Sequence, residues 1–197
     1  MTTQTAMPAL TPMPYGAARA AVMAGSTLTF FGAITIFAWS FLNWDDSTRE
    51  VVTGPGEFIG CALAAVGGVL LLLALPRVLT GLAPGAVAAS IAALAFVLVD
   101  AWYNGTVAIA VANQVDDGTY DTIIRSGWAF LFSLPKMLLG LAGFIGLAVS
   151  GWRTGLVSRP LAVLLAVGGV ASLVPPFMPG ILIASIAFFL LARAQQE

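Results

Sequence analysis

Six runs of apolar residues dominate this sequence and limit what it can fold into. They cover roughly residues 17–44, 57–75, 85–112, 127–150, 160–174 and 180–194. Because a helix needs about 20 apolar residues to cross the hydrocarbon core of a bilayer, the first four runs are long enough to span it. The last two are shorter. The pattern predicts an all-α fold, a polytopic integral membrane bundle of six transmembrane helices.

Composition supports this class. Of the 197 residues, 59% are hydrophobic and 9% are charged, whereas soluble domains are about 25% charged. A soluble fold would have too little polar surface to cover its outside, while a bilayer solvates apolar side chains. We expect one domain, residues 17–194, preceded by a disordered cytoplasmic tail, residues 1–16, which shows no periodicity. The run after Arg19 is too long for a signal peptide.

Three prolines, Pro175, Pro176 and Pro179, separate the last two runs. Proline lacks a backbone donor and cannot continue a helix, so these residues predict a tight turn. The two short helices would then form a hairpin. A single kinked or re-entrant element is the alternative.

Charged residues orient the predicted helices. One side of a six-span topology carries Arg19, Arg77, Arg153, Arg159 and Arg193. The opposite loops carry Asp45, Asp46, Glu50, Glu57, Asp116, Asp117 and Asp121, with Arg49 and Arg125. Because Lys and Arg accumulate in cytoplasmic loops, both termini are predicted to be cytoplasmic and the acidic loops to face outward from the cell membrane.

Two ionisable residues then remain inside the runs, Asp100 in LVDAWYNG and Lys136 in SLPKMLLG. A charge at mid-bilayer costs about 2.5 to 3.5 kcal/mol on insertion scales, so each needs a partner or water. Asp100 lies roughly twelve residues, and Lys136 about nine, from the outer end of its run. Their depths therefore differ by only about 5 Å. On adjacent antiparallel helices, the long lysine side chain would close this gap.

Polar residues surround this predicted pair. Tyr103 and Asn104 follow Asp100 at i+3 and i+4, and Ser133 shares a helix face with Lys136. One interpretation is a structural salt bridge that locks the two helices in register. The other is a water-accessible cavity in the outer half of the bundle that binds a polar headgroup, an ion or a proton. The sequence leaves both open.

A helical spacing also links Glu57, Cys61, Ala64 and Gly68, at i, i+4, i+7 and i+11. One face of the second run therefore leads from a carboxylate to small residues. This face either contacts the Asp100 cavity or serves helix packing, and packing is the favoured interpretation.

The outer loops contain two similar acidic stretches, DDSTRE and DDGTYD, which supply Asp45, Asp46, Asp116, Asp117 and Asp121. Their spacing resembles the aspartate-rich motifs of membrane prenyltransferases and polyprenyl synthases, which implies a Mg²⁺ site that holds a diphosphate. Those families have more helices, and the charge bias places these loops outside the cell. Solvated loops are therefore favoured over a metal site.

The C-terminal half carries one further resemblance. GWRTGLVSRPLAVLLAVGGVASLVPP, followed by a run that ends in FFLLARAQQE, is similar to small bacterial multi-pass membrane proteins of unknown function, over about residues 137–194. The resemblance implies fold and topology only.

Several classes of function are disfavoured by composition. The chain has no histidine, one cysteine (Cys61) and a net charge of −1, which argues against a histidine base, a disulfide framework and nucleic-acid binding. We expect no cofactor. The favoured function is a non-enzymatic accessory subunit of a membrane complex, or a binder of a lipid-like molecule. Its partners would be the bilayer and another membrane protein or a second copy. The alternatives are a small ion- or proton-coupled transporter that uses the Asp100–Lys136 pair, and a membrane enzyme with a divalent metal at the acidic loops.

Single cysteines in a Cys61→Ala background test the topology. Ser47→Cys and Thr119→Cys lie in predicted outer loops, so an impermeant thiol reagent added to intact cells should label both. Thr154→Cys lies in a predicted cytoplasmic loop and should react only after permeabilisation. The opposite labelling pattern would invert the topology.

Overall fold

The computed structural model describes residues 13–125, 128–174 and 178–194. Within these ranges the chain forms helices and turns, without a β-strand. The helices are α1 (Tyr15–Leu42), α2 (Thr48–Thr53), α3 (Pro55–Val78), α4 (Pro84–Trp102), α5 (Ile109–Ala112), α6 (Asp117–Arg125), α7 (Trp128–Thr154), α8 (Arg159–Ala171) and α9 (Met178–Ala194). A π-helical segment, Tyr103–Ala108, joins α4 to α5. Residues 1–12 of the predicted tail and residues 175–177 of the predicted turn lie outside the described residues.

Four helices are long and apolar enough to cross a membrane: Tyr15–Leu42, Pro55–Val78, Pro84–Ala112 and Ser133–Thr154. The all-α class and the presence of apolar helices of this length are therefore confirmed. Helices α8 and α9 have 13 and 17 residues, which corresponds to about 20 and 25 Å against a hydrocarbon core of about 30 Å. Six membrane spans thus stay a prediction.

Small residues bring α1 and α3 into close contact. A Cβ atom added at Gly32 would lie 2.6 Å from the backbone oxygen of Gly60, and one at Gly25 would lie 2.8 Å from that of Gly67. Because the later residue of α1 meets the earlier residue of α3, the two helices are antiparallel. Proline is well suited to the start of α3, because a backbone N–H in the first turn of a helix has no acceptor within that helix.

Small residues also bring the last two helices, α8 and α9, into close contact. Gly168 of α8 faces Ala184 of α9, and Gly180 of α9 lies against Ser172. Helices α8 and α9 therefore run side by side in opposite directions, as a hairpin requires.

Alternating helix directions separate the charges into two groups at opposite ends of the bundle. We name these groups the basic end and the acidic end. The basic end contains Arg19, Arg77, Arg153, Arg159 and Arg193. The acidic end contains Asp45, Asp46, Glu50, Asp116, Asp117 and Asp121. The first and last helices meet at the basic end, where Arg19 Nε donates a hydrogen bond to the carbonyl of Ala192 at 3.0 Å.

Large apolar side chains cover the outside of the bundle between these ends. Phe37, Leu73 and Val163 are examples from α1, α3 and α8, and all three are exposed. Contiguous apolar surface on this scale suits hydrocarbon better than water. The distribution of side chains agrees with the apolar runs of the sequence.

The contact between α1 and α3 predicts that Gly32→Ala destabilises the protein, since a methyl group would press on the backbone of α3. Overpacking of this kind costs about 1–3 kcal/mol. Gly16→Ala, in the first turn of the same helix, has nothing within 4 Å of the added Cβ and should be neutral or slightly stabilising. Unfolding in detergent would measure both. Equal stability of the two variants would contradict the packing.

Candidate functional site

An ion pair joins α4 to α7 in the half of the bundle nearer the acidic end. Lys136 Nζ donates a hydrogen bond to Asp100 Oδ2, and Asn104 Nδ2 donates to Asp100 Oδ1 at 3.3 Å. The side chain of Lys136 is 3% exposed. The pair predicted from helix depth is present, and it neutralises a buried ammonium that would otherwise be strongly unfavourable.

The backbone next to the pair is unusual. The π-helical segment begins at Tyr103, three residues after Asp100. Within it, Gly105 lies so close to α3 that an added Cβ would be 2.8 Å from Cys61 Cβ. Single π-helical turns inside α-helices often occur at functional sites. Here the segment places α4 against α3 at the level of the ion pair.

A cavity of about 50 Å³ lies beside the pair. Its polar lining consists of Thr29, Glu57, Cys61, Asp100, Asn104 and Lys136. A cavity needs a volume of about 10–15 Å³ to hold one water molecule. The cavity therefore has room for a few water molecules or one small ion, and it is too small for a phospholipid headgroup.

Glu57 adds a second carboxylate to the cavity. It is 8% exposed, and Cys61 Sγ, 3.6 Å from Glu57 Oε1, is its hydrogen-bonding partner. Glu57 lies in the first turn of α3, where the helix dipole favours a negative charge. Within the described ranges it makes no salt bridge. The expectation that Glu57 is an outer-loop charge is wrong, because α3 begins at Pro55 and turns this side chain into the bundle.

Thr29 of α1 also lines the cavity. It is 1% exposed, and its Oγ1 has no hydrogen-bond partner among the residues that the structure describes. A buried hydroxyl without a partner costs about 1–3 kcal/mol. The oxygen packs against α3, where a Cβ atom added at Gly67 would lie 2.4 Å from it.

The structure gathers some of the predicted site residues and not others. Asp100, Asn104 and Lys136 share the cavity, whereas Tyr103 and Ser133 are not part of its lining. Trp102 is 59% exposed and lies on the outer surface. Glu57, Cys61 and Thr29 join the site instead. The helical spacing from Glu57 to Ala64 was the sequence signal for the first two, although packing was the favoured interpretation of that face.

The carboxylates of the acidic loops have other partners. Asp116 accepts hydrogen bonds from the backbone N–H and the hydroxyl of Thr119, both at 2.9 Å, and these bonds hold the pKa of Asp116 below its usual value. Asp117 Oδ1 lies 3.3 Å from Arg49 Nη1. In the parts of the chain that are described, no three Asp, Glu or Cys side chains converge in a way that could hold a metal ion. Asp45 and Asp46 are exposed, and Asp121 lies in α6.

Comparison with known proteins does not assign the chain to a family. No protein-family model, curated protein or solved structure matches the chain. The burial and the charges of the cavity residues are therefore the basis for a functional proposal.

The ion pair predicts a non-additive mutant cycle. Asp100→Asn takes the carboxylate away from the buried ammonium of Lys136, and Lys136→Met takes the ammonium away from the partly buried carboxylate of Asp100. Each single change should therefore lower the free energy of unfolding more than the double variant does. For residues in contact, the coupling energy is about 0.5–3 kcal/mol. Chemical unfolding in detergent would measure it, and additive losses would contradict a stabilising pair.

Proposed function

We propose that this chain is a six-span membrane protein that binds a proton or a small cation between Glu57, Asp100 and Lys136 and acts in ion- or proton-coupled transport. The buried carboxylate of Glu57 carries the proposal. The favoured sequence interpretation, an accessory subunit or a lipid binder, is the second candidate.

Charge balance supports a cationic ligand. The ammonium of Lys136 contacts Asp100, so Glu57 is a further carboxylate in the same cavity. An uncompensated charge in apolar surroundings is costly, and buried carboxylates therefore bind a proton or a cation. The cavity volume of about 50 Å³ fits a ligand of this size.

A metal cation and a proton would affect the ion pair in different ways. A metal cation between Glu57 and Asp100 would compete with the ammonium of Lys136, whereas a proton on Glu57 would leave the ion pair intact. In both cases the site changes its charge when the ligand leaves. Coupled transport requires that the occupied and empty states favour different conformations, and a change of charge in an apolar interior supplies such a bias.

The proposed topology keeps both termini in the cytoplasm of a cell whose plasma membrane the chain crosses. Clustering of arginines at the basic end supports this orientation. The cavity would then lie closer to the outer face. Helices α8 and α9 would form the last two spans, with local thinning of the bilayer or contacts with a partner compensating for their length. The resemblance of residues 137–194 to small bacterial multi-pass proteins agrees with this topology.

A groove between α1 and α9 favours the second candidate function. It has a volume of about 260 Å³ and is lined mainly by Phe30, Phe31, Phe189 and other apolar side chains. Ser26 and Ser185 also line it, and their buried hydroxyls have no partner among the described residues. Native mass spectrometry of the protein in mild detergent tests this function. A stoichiometric lipid or partner subunit would support it, and a bare chain would contradict it.

Electrophysiology on a solid-supported membrane tests the main proposal, because it records the charge displaced when an ion binds, even before a transported substrate is known. Steps in pH or in cation concentration should evoke a transient current from the wild type. Glu57→Gln should reduce this current at least tenfold, since it removes the ionisable oxygen.

Asp45→Asn is the matched control, because Asp45 is an exposed carboxylate at the acidic end. It should retain the wild-type current. A Glu57→Gln variant with an undiminished current would overturn the proposed function.

A further inference from the structure

Large apolar side chains close the cavity on its basic side. On α3, Leu71 lies closer to the basic end than the cavity residues do, as does Leu94 on α4 and Leu147 on α7. Each of these side chains is 1% exposed or less, and all belong to one apolar core. Because a charge is costly in such surroundings, a proton or cation does not reach Glu57 from the basic end.

The lipid-facing side of the bundle offers no easier route. The side chain of Asp100 is 31% exposed, and its neighbours Val99 and Trp102 lie on the outer surface. This part of α4 belongs to a stretch long enough to span the membrane, so hydrocarbon covers it in the proposed topology. A charge enters hydrocarbon only at high cost. The acidic end is the shortest way to water, because Glu57 lies in the first turn of α3.

Trp39 covers the cavity on this acidic side. On α1, Ile36 is the cavity residue nearest the acidic end, and Trp39 follows it about one turn later. The side chain of Trp39 packs on the start of α3. A Cβ atom added at Gly54 would lie 2.7 Å from Trp39 Nε1, and one at Gly56 would lie 2.6 Å from Trp39 Cβ. Gly56 directly precedes Glu57, so the tryptophan covers the seam between α1 and α3 next to that carboxylate.

The short helix α2 bridges the helices that surround the cavity. Trp39 Nε1 donates a hydrogen bond to the carbonyl of Val51 at 2.9 Å. From the same helix, Arg49 Nε donates to the carbonyl of Ala112 at 2.5 Å, and Arg49 Nη1 lies 3.3 Å from Asp117 Oδ1. Ala112 is the last residue of α5, which continues α4 beyond the cavity. Helix α2 therefore extends from α1 to α5 across the acidic side of the cavity.

Few contacts oppose a local opening of α2. The helix has six residues, and none of them is buried. A single residue in extended conformation, Gly54, joins it to α3, so α2 can pivot there while α3 stays folded. Segments with little buried apolar surface open at a lower free energy than the whole protein unfolds.

We propose that α2 is a lid over the acidic side of the cavity. The lid pivots at Gly54, and release of Arg49 from Ala112 and Asp117 opens the route between water and Glu57. This inference rests on the proposed function and adds the regulation of its site. Because the ion pair of the lid is partly exposed, salt weakens it, and the lid opens more readily at high ionic strength.

Modification of Cys61 reports whether the lid is open. Cys61 lines the cavity, is 2% exposed and is the single cysteine of the chain. The probe is aminoethyl methanethiosulfonate, a small cationic thiol reagent, added to the protein in lipid nanodiscs. Arg49→Ala removes the contacts with α5 and α6 and should raise the rate of modification at least tenfold. Trp39→Phe keeps an aromatic ring but loses the hydrogen bond to Val51, and it should raise the rate at least threefold.

Two controls separate the opening of the lid from a general loosening of the bundle. Arg159→Ala removes an exposed arginine at the basic end and should leave the rate at Cys61 unchanged. In a Cys61→Ala background, Ser90→Cys provides a thiol at a fully buried position nearer the basic end. Adding Arg49→Ala to this background should not change its rate of modification.

Three results would overturn the lid. They are a wild-type rate at Cys61 in Arg49→Ala, equal acceleration at Ser90→Cys, and a folded wild type whose Cys61 reacts as fast as in the unfolded chain. The proposed function would still stand if Glu57→Gln reduced the evoked current. If Glu57→Gln left that current unchanged, the proposed function itself would fail, even with a lid that opens.

Discussion

The interior of this bundle is organised by the high cost of a charge in apolar surroundings. Lys136 is buried on α7, and the carboxylate of Asp100 on α4 meets it. Because the buried ammonium of Lys136 is unfavourable without a counter-charge, the pair favours one register of the two helices. Gly143 against Ser90 continues the same antiparallel contact toward the basic end. The position of the cavity next to this pair follows from that register.

Close packing of small residues then determines what the cavity can hold. Gly32 and Gly60 bring α1 and α3 together one turn from Glu57, and Gly105 brings the π-helical segment onto Cys61. These contacts leave about 50 Å³ between the polar groups. A larger cavity would admit a headgroup or bulk water and would stabilise a free carboxylate on Glu57. In the small cavity, a proton or one small cation is the fitting ligand.

Helix geometry explains which parts of this site the sequence predicts. A rise of about 1.5 Å per residue gives depth, which was enough to pair Asp100 with Lys136 and to place the apolar runs as helices. Depth does not show what covers a helix end. Glu57 is near the beginning of α3, so it resembled a loop charge, and its burial depends on packing against other helices. The π-helical segment also depends on contact with α3. Of the two residues of this segment that the spacing placed beside Asp100, Asn104 lines the cavity and Tyr103 does not.

Ligand-linked stability tests most directly whether Glu57 makes this cavity a binding site. A ligand that binds only the folded state adds about 1.4 kcal/mol for each tenfold rise in its concentration above Kd. The midpoint of thermal unfolding in lipid nanodiscs should therefore depend on proton or cation concentration in the wild type and in Asp45→Asn, and this dependence should be much smaller in Glu57→Gln. The same dependence in all three proteins would contradict a binding site at Glu57.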